Sequence, residues 1–329
     1  MMGRSGAMAL ATGLLLVGCG GDSGDGPSDG GSSETAAAFV SPLGADILVA
    51  DLAWDDAGSP TVGRPSNLTQ RPDYDNQPHY VPDGSGIWYT INDPQSGQAD
   101  IWRYDFASGR VTPVTQSAPE SEYSATPLPD GSGVSVIRVE ADSTQRLWRF
   151  DADGSNGAVV FEDIAPVGYH AWVDEYTVVM FVLGSPATLQ RGDVRTGRAE
   201  TITSGITRSI QKIPNSFDIS FQQRHEDGSS TIMRLPGDGG EPTPIIDAVE
   251  GSQDHAWAPN GTLFQARGSV LYAARSAPGA SMPGPDASWQ EVADFADLRI
   301  DLTRLAVSPD GSQIALVAEL VTIDPITGN

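Results

Sequence analysis

Six times along the chain an apolar run ends in Pro-Asp-Gly, or a variant of it, and a second run of small, β-branched and aromatic residues follows. The clearest copy is His79-Tyr80-Val81-Pro82-Asp83-Gly84-Ser85-Gly86-Ile87-Trp88-Tyr89-Thr90. Such a unit reads as two antiparallel strands joined by a tight turn. Proline fixes φ at the first corner, and aspartate and glycine accept the remaining turn angles at low cost. The other copies centre on Pro129-Asp130-Gly131, Val173-Asp174-Glu175, Pro214-Asn215-Ser216, Pro259-Asn260-Gly261 and Pro309-Asp310-Gly311. With the turn residue counted as Asp83, Asp130, Glu175, Asn215, Asn260 and Asp310, successive copies stand 47, 45, 40, 45 and 50 residues apart.

A period of roughly 40–50 residues built from strands is the signature of a β-propeller blade. Helical solenoids share such periods, so strand content has to decide. Segments between the turns, such as Asp100-Ile101-Trp102-Arg103-Tyr104-Asp105 and Thr177-Val178-Val179-Met180-Phe181-Val182, show no helical periodicity. The expected fold is all-β: a six-bladed β-propeller of four-stranded antiparallel blades over residues 41–329. Asp46-Ile47-Leu48-Val49-Ala50-Asp51 matches the third strand of later repeats and residues 63–69 the fourth, while residues 305–308 and 313–323 supply only a first and a second strand. The last blade is therefore expected to be completed by strands from both termini, which removes open edges.

The chain has 329 residues, 39% of them hydrophobic, enough for one large domain. Its 19 basic and 43 acidic residues give a net charge of −24. Nucleic acid is thereby set aside as a partner, and so is direct docking on anionic lipid. The acidity reads as solubility. Residues 1–19 read as a targeting segment: Arg4 gives a positive start, Ala7 to Val17 form an apolar core too short to span a bilayer, and small residues follow. Leu16-Val17-Gly18-Cys19 resembles a bacterial lipobox, in which the cysteine is acylated; the alternative is an ordinary secretory signal with an incidental cysteine. Cys19 is the only cysteine, so no disulfide is expected and stability rests on packing and closure. Residues 20–40, rich in Gly, Ser and Asp, read as a flexible tether. Gly26-Pro27-Ser28-Asp29-Gly30 within it matches the nucleophile-elbow pattern without the strand and helix that motif needs.

The repeats resemble TolB-like, PD40-type (WD40-like) propeller blades of bacterial envelope proteins, in which Leu-Thr, a polar loop and a (Trp/Tyr)-x-Pro-Asp-Gly turn recur. The resemblance covers about residues 41–329, with the turns at Val173-Asp174-Glu175 and Pro214-Asn215-Ser216 departing most. It implies a cell-envelope location. With the lipobox, and no Asp after Cys19, it implies a lipid-anchored protein of the outer membrane facing the periplasm or the surface, touching the membrane through the lipid only. The additional N-terminal α/β domain of TolB has no counterpart in residues 1–60, so its role in the Tol system is not carried over.

In a propeller the innermost strands line an axial channel, and the loops entering them ring one mouth. Those positions hold Asp75, Asn76, Gln77, Glu122, Tyr123, Tyr169, His170, Arg208, Asp254, His255 and Arg304, with His225-Glu226-Asp227 on a turn of the same face. Carboxylates, imidazoles and two guanidiniums together suit a small polar ligand or a divalent cation. His170 and His255 stand at equivalent places, each followed by Ala-Trp, and with Asp254 and Glu122 would make an ordinary transition-metal ligand set. The competing reading makes each histidine a hydrogen-bonded strand residue beside a core tryptophan. Asp151-Ala152-Asp153-Gly154-Ser155-Asn156-Gly157 lacks the calcium-loop spacing and reads as a surface turn. No supported catalytic motif is present, so no catalytic residue is expected. The leading expectation is a non-catalytic binding or scaffold module for a protein, peptide or small polar ligand. The alternatives are a metal-dependent propeller enzyme of the lyase or lactonase type and a structural spacer.

Overall fold

Each Pro-Asp-Gly turn joins the innermost strand of a blade to its second. The computed structural model describes residues 39–276 and 280–321, and in it six antiparallel blades form, five of them four-stranded sheets that follow one another along the chain and the sixth a composite sheet. Cys19, the segments 1–19 and 20–38, and the chain beyond residue 321 lie outside the described residues. Blade 1 runs through Asp75–Tyr80, Gly86–Asn92, Ala99–Asp105 and Val111–Pro113. Blades 2 to 5 occupy residues 121–159, 167–204, 206–247 and 255–294 in the same strand order.

Blade 6 is the composite one. Ile300–Val307 and Gln313–Leu320 form its inner strands, and Asp46–Trp54 completes it from the N-terminal side, paired in register from Asp46↔Ala318 to Asp51↔Gln313. Its outer strand differs from the expected 63–69: two short pieces, Pro60–Val62 and Ser66–Asn67, pair with the long Asp46–Trp54 strand separately. Pro65 donates no ladder hydrogen bond, and the break falls there.

The turns show why the repeat reads as it does. Asp83, Asp130, Asn260 and Asp310 each accept the backbone N–H two residues on, at 2.9–3.0 Å, while Gly84 and Gly131 sit at φ of 73° and 71°, which glycine adopts without strain. In blade 3 this job falls to Asp174, whose Oδ1 accepts the N–H groups of Tyr176 and Thr177 at 2.8 Å. Asp174 thus caps the turn one position before Glu175, the residue that aligns with Asn260 in the equally long hairpin of blade 5.

Second strands are apolar on both faces, as in the run Ile87 to Ile91, since each is sandwiched between neighbouring blades. Six apolar clusters result, one at each blade interface. The cluster between blades 1 and 2, for example, joins Trp88 and Ile101 to Val134, Val136 and Phe150. Gly133 opens its strand because a Cβ there would meet the Phe150 carbonyl at 2.0 Å.

Candidate functional site

The six first strands enclose a cavity of about 760 Å³. One end is ringed by the hairpin turns and the other by the beginnings of the first strands. The latter were expected to be loops, yet Asp75–Tyr80, Ser121–Pro127, Val167–Trp172, Ile206–Lys212 and Ile300–Val307 already hold these residues in strand. What distinguishes them is a break in register against the second strand: between Asn76 and His79, Tyr123 and Thr126, Val167 and Tyr169, Ile206 and Ile210, and Leu302 and Arg304. Such bulges bend a strand and re-aim a side chain. Gln77 and Ser124 take positive φ, 57° and 56°, at equivalent points. The outcome is a ring in which equivalent positions of the six blades, Gln77, Ser124, Tyr169, Ser209, Asp254 and Arg304, line the cavity, with Arg208 lining it beside Ser209.

Charge in this ring is unevenly matched. Arg208, the neighbour of Ser209, makes a bidentate pair with Asp254, Nη2 to Oδ2 at 2.5 Å and Nε to Oδ1 at 3.1 Å. Arg304 has no carboxylate within salt-bridge distance among the described residues; its Nη2 donates to the Tyr169 hydroxyl at 3.0 Å, with the guanidinium 5.3 Å from that ring's centre. The Tyr74 phenol, whose pKa burial pushes up, feels the charges of Arg304 and Arg208 and the phenols of Tyr169 and Tyr123. Ser124 Oγ and the Tyr80 hydroxyl are buried with no protein partner, although both residues line the cavity.

At the turn end Lys212 donates to the Val173 carbonyl and lies 5.1 Å from the ring centre of the exposed Phe217, with Asp174 and Glu175 beside it. This rim belongs to blades 3 and 4, the two whose turns depart most from Pro-Asp-Gly.

The other expected residues are brought elsewhere. His170 and His255 are 5% and 0% exposed and sit in the cavity wall between blades. His170 Nε2 pairs with Ser135 Oγ at 2.7 Å, and the Trp172 indole donates to the same hydroxyl at 2.9 Å. His255 Nε2 pairs with Ser220 Oγ at 2.8 Å, Trp257 donates to it at 2.8 Å, and His255 Nδ1 meets Ser209 Oγ at 3.0 Å. Burial pushes both imidazoles down to about 3. Each His-Ala-Trp thus clamps a serine on the second strand of the preceding blade. Ser135 and Ser220 were not singled out from sequence, yet a signal existed: they stand 85 residues apart, as His170 and His255 do.

Asp75, Asn76 and Glu122 are buried off the cavity, at the seams between blades 6 and 1 and between 1 and 2. Both Asp75 oxygens lack a hydrogen bond, Arg71 Nε approaches to 3.6 Å, and burial raises its pKa to about 6. Glu122 accepts from Ser117 Oγ and faces Arg138 Nε at 3.3 Å, its pKa likewise raised by burial. Tyr123 packs with the cluster between blades 2 and 3. Among the described residues no three His, Cys, Asp or Glu side chains are grouped so as to hold a metal ion, so His170, His255, Asp254 and Glu122 do not converge. His225 is exposed and bonds Thr231. Asp151 and Asp153 bond Asn156 and Ser155 within their own turn.

No family model matches the chain, and no curated protein does. Solved structures do share its fold. A protein described as a TolB from Agrobacterium tumefaciens superimposes with a TM-score of 0.60 at 14% identity, over 83% of this chain and 98% of that one. TolB from Acinetobacter baumannii gives 0.54 at 13% identity; the match spans 83% of this chain but 64% of the TolB. A chain of a nidogen/laminin complex gives 0.57 at 10% identity, over 79% and 97%. At such identities the likeness establishes a TolB-like six-bladed propeller fold.

Proposed function

We propose that the protein is a binding module of the bacterial cell envelope, whose propeller holds a protein, peptide or small polar ligand at the bulge end of its channel. One observation carries this reading. Five bulged first strands and the start of the sixth present a polar ring to a cavity of about 760 Å³, and in that ring the Arg304 guanidinium has no carboxylate within salt-bridge distance among the described residues. Buried polar groups normally find partners within the protein, and a concave site with a few convergent polar groups is the form that ligand pockets take. The likeness to TolB structures supports the same class of role. The lipobox-like Leu16-Val17-Gly18-Cys19 supports attachment through an acylated Cys19, with residues 20–40 as tether and the outer membrane as the site of residence. The histidines give the metal-enzyme reading little support, since three of their four ring nitrogens face serine hydroxyls.

A photo-crosslinking residue placed at Gln77, compared with one at Ser108 on an outer turn, tests the proposal in cells. Adducts are expected from the first position only and should be lost when Arg304 is changed to Glu. Equal adducts from both positions, or none from either, would refute a channel-end binding site. For the anchor, Cys19→Ala should move the protein to the soluble fraction; retention in membranes at the original level would count against acylation.

A further inference from the structure

Resting on the reading of the channel as a binding site, we propose that its bulge end is a carboxylate-binding subsite, with Arg304 and the Tyr169 hydroxyl as donors, for a ligand bearing one carboxylate. The hydrogen bonding leaves the right atoms free. Tyr169 accepts from Arg304 Nη2, which orients the phenol and leaves its own O–H to donate. The guanidinium has spare N–H groups in a planar fork that matches a carboxylate's two oxygens.

The charge count selects a monoanion. Arg208 is neutralised by Asp254, so the ring carries one uncompensated positive charge, on Arg304. A second negative charge on the ligand would find no cation and would face the Asp254 carboxylate within a protein of net charge −24. The turn end has the opposite excess: Asp174 and Glu175 line it against Lys212 alone. A field running along the channel therefore directs a carboxylate toward Arg304.

Titration calorimetry on the full protein, with a mixed-sequence tetrapeptide pool carrying free C-terminal carboxylates and the same pool amidated, tests this. The acid pool should bind at least tenfold more tightly than the amide pool. Arg304→Gln should abolish that preference, Arg304→Lys should keep part of it, and Tyr169→Phe should weaken it several-fold, with circular dichroism confirming that each variant is folded. Galacturonate, tested alongside, separates the sources: tighter binding by peptide acids identifies a chain terminus, tighter binding by galacturonate a sugar acid. Inorganic phosphate should bind more weakly than either. Equal affinity of acid and amide pools, absence of binding by every carboxylate probe, or a preference that survives Arg304→Gln would overturn the assignment. Adducts at Gln77 that persist when acid and amide bind alike would leave the binding-module reading standing and remove only the carboxylate subsite.

Discussion

The seams between blades hold together in two chemically opposite ways. At the seams of blade 6 with 1 and of blade 1 with 2, a buried carboxylate, Asp75 or Glu122, lies near an aspartate that begins a third strand, Asp46 or Asp100. A threonine, Thr69 or Thr115, accepts the next backbone N–H in each. At the seams of blade 2 with 3 and of blade 4 with 5, an uncharged imidazole and an indole share one serine hydroxyl. Burial drives the two kinds of group in opposite directions, carboxylic acids upward and imidazoles downward, because it penalises the charged form of each. One ring therefore contains seams that favour acid and seams that resist it.

The comparison breaks most completely if one seam is removed. Deleting residues 39–69 takes away the strand paired from Asp46↔Ala318 to Asp51↔Gln313 and, with Ala45, Ile47 and Val49, a third of the buried cluster between blades 6 and 1. Cooperative unfolding in a dichroism melt should disappear; an unchanged midpoint would show that the ring closes some other way. Next in size, Ser220→Ala strands the Trp257 N–H and a His255 nitrogen in the core. The cost should be about 2–4 kcal/mol in denaturant unfolding, since each buried unsatisfied group costs about 1–3 kcal/mol. Ser135→Ala should cost a similar amount, and the two should add to within about 0.5 kcal/mol because they lie at separate seams. A loss below about 0.5 kcal/mol for either would mean that the hydroxyl is dispensable.

Acid sharpens the contrast. Below pH 6.5 the unfolded chain protonates His170 and His255 while the folded chain, with both near 3, does not. Stability is then lost as pH falls, by about 1.4 kcal/mol per pH unit for each imidazole. Asp75 acts in reverse: its folded pKa of about 6 exceeds the ordinary 3.8, so its contribution is full below 3.8 and is lost as pH rises through 6. A His170→Gln/His255→Gln variant should lose less stability than the parent between pH 7 and 5, and equal losses would refute the assignment of the imidazoles. The smallest effect is Asp75→Asn, which should raise stability at pH 7 by on the order of 1 kcal/mol, with the gain shrinking toward pH 4. A variant less stable at both pH values would show that the carboxylate is better matched by Arg71 than the 3.6 Å approach suggests.

The fold was legible because its determinants are local: a Pro-Asp-Gly turn specifies a hairpin wherever it occurs, and the period does the rest. The site was legible only by zone. Gln77, Tyr169, Arg208, Asp254 and Arg304 do reach the channel, but counting back from the turn could not separate them from Asp75 or Glu122, because a bulge of one or two residues flips a side chain from cavity to seam. Neither Gln77 nor Ser124 announces its positive φ with a glycine. The serine clamps depend on partners in different blades, His170 with Ser135 and His255 with Ser220, at a separation of 35 residues. No local pattern shows such a contact.

The composite blade also sets the order in which the protein can be finished. Blades 1 to 5 each draw all four strands from a span of some tens of residues, so their internal pairings need only local closure. The strand Asp46–Trp54 is among the first parts of the propeller to be synthesised, yet its partner Gln313–Leu320 is among the last. At about 5–20 residues per second, it waits for tens of seconds with its apolar residues uncovered. Contacts of such long range are also the slowest to form. Closure of the ring therefore waits on Gln313–Leu320, and until it pairs, the Asp46–Trp54 strand has an open edge.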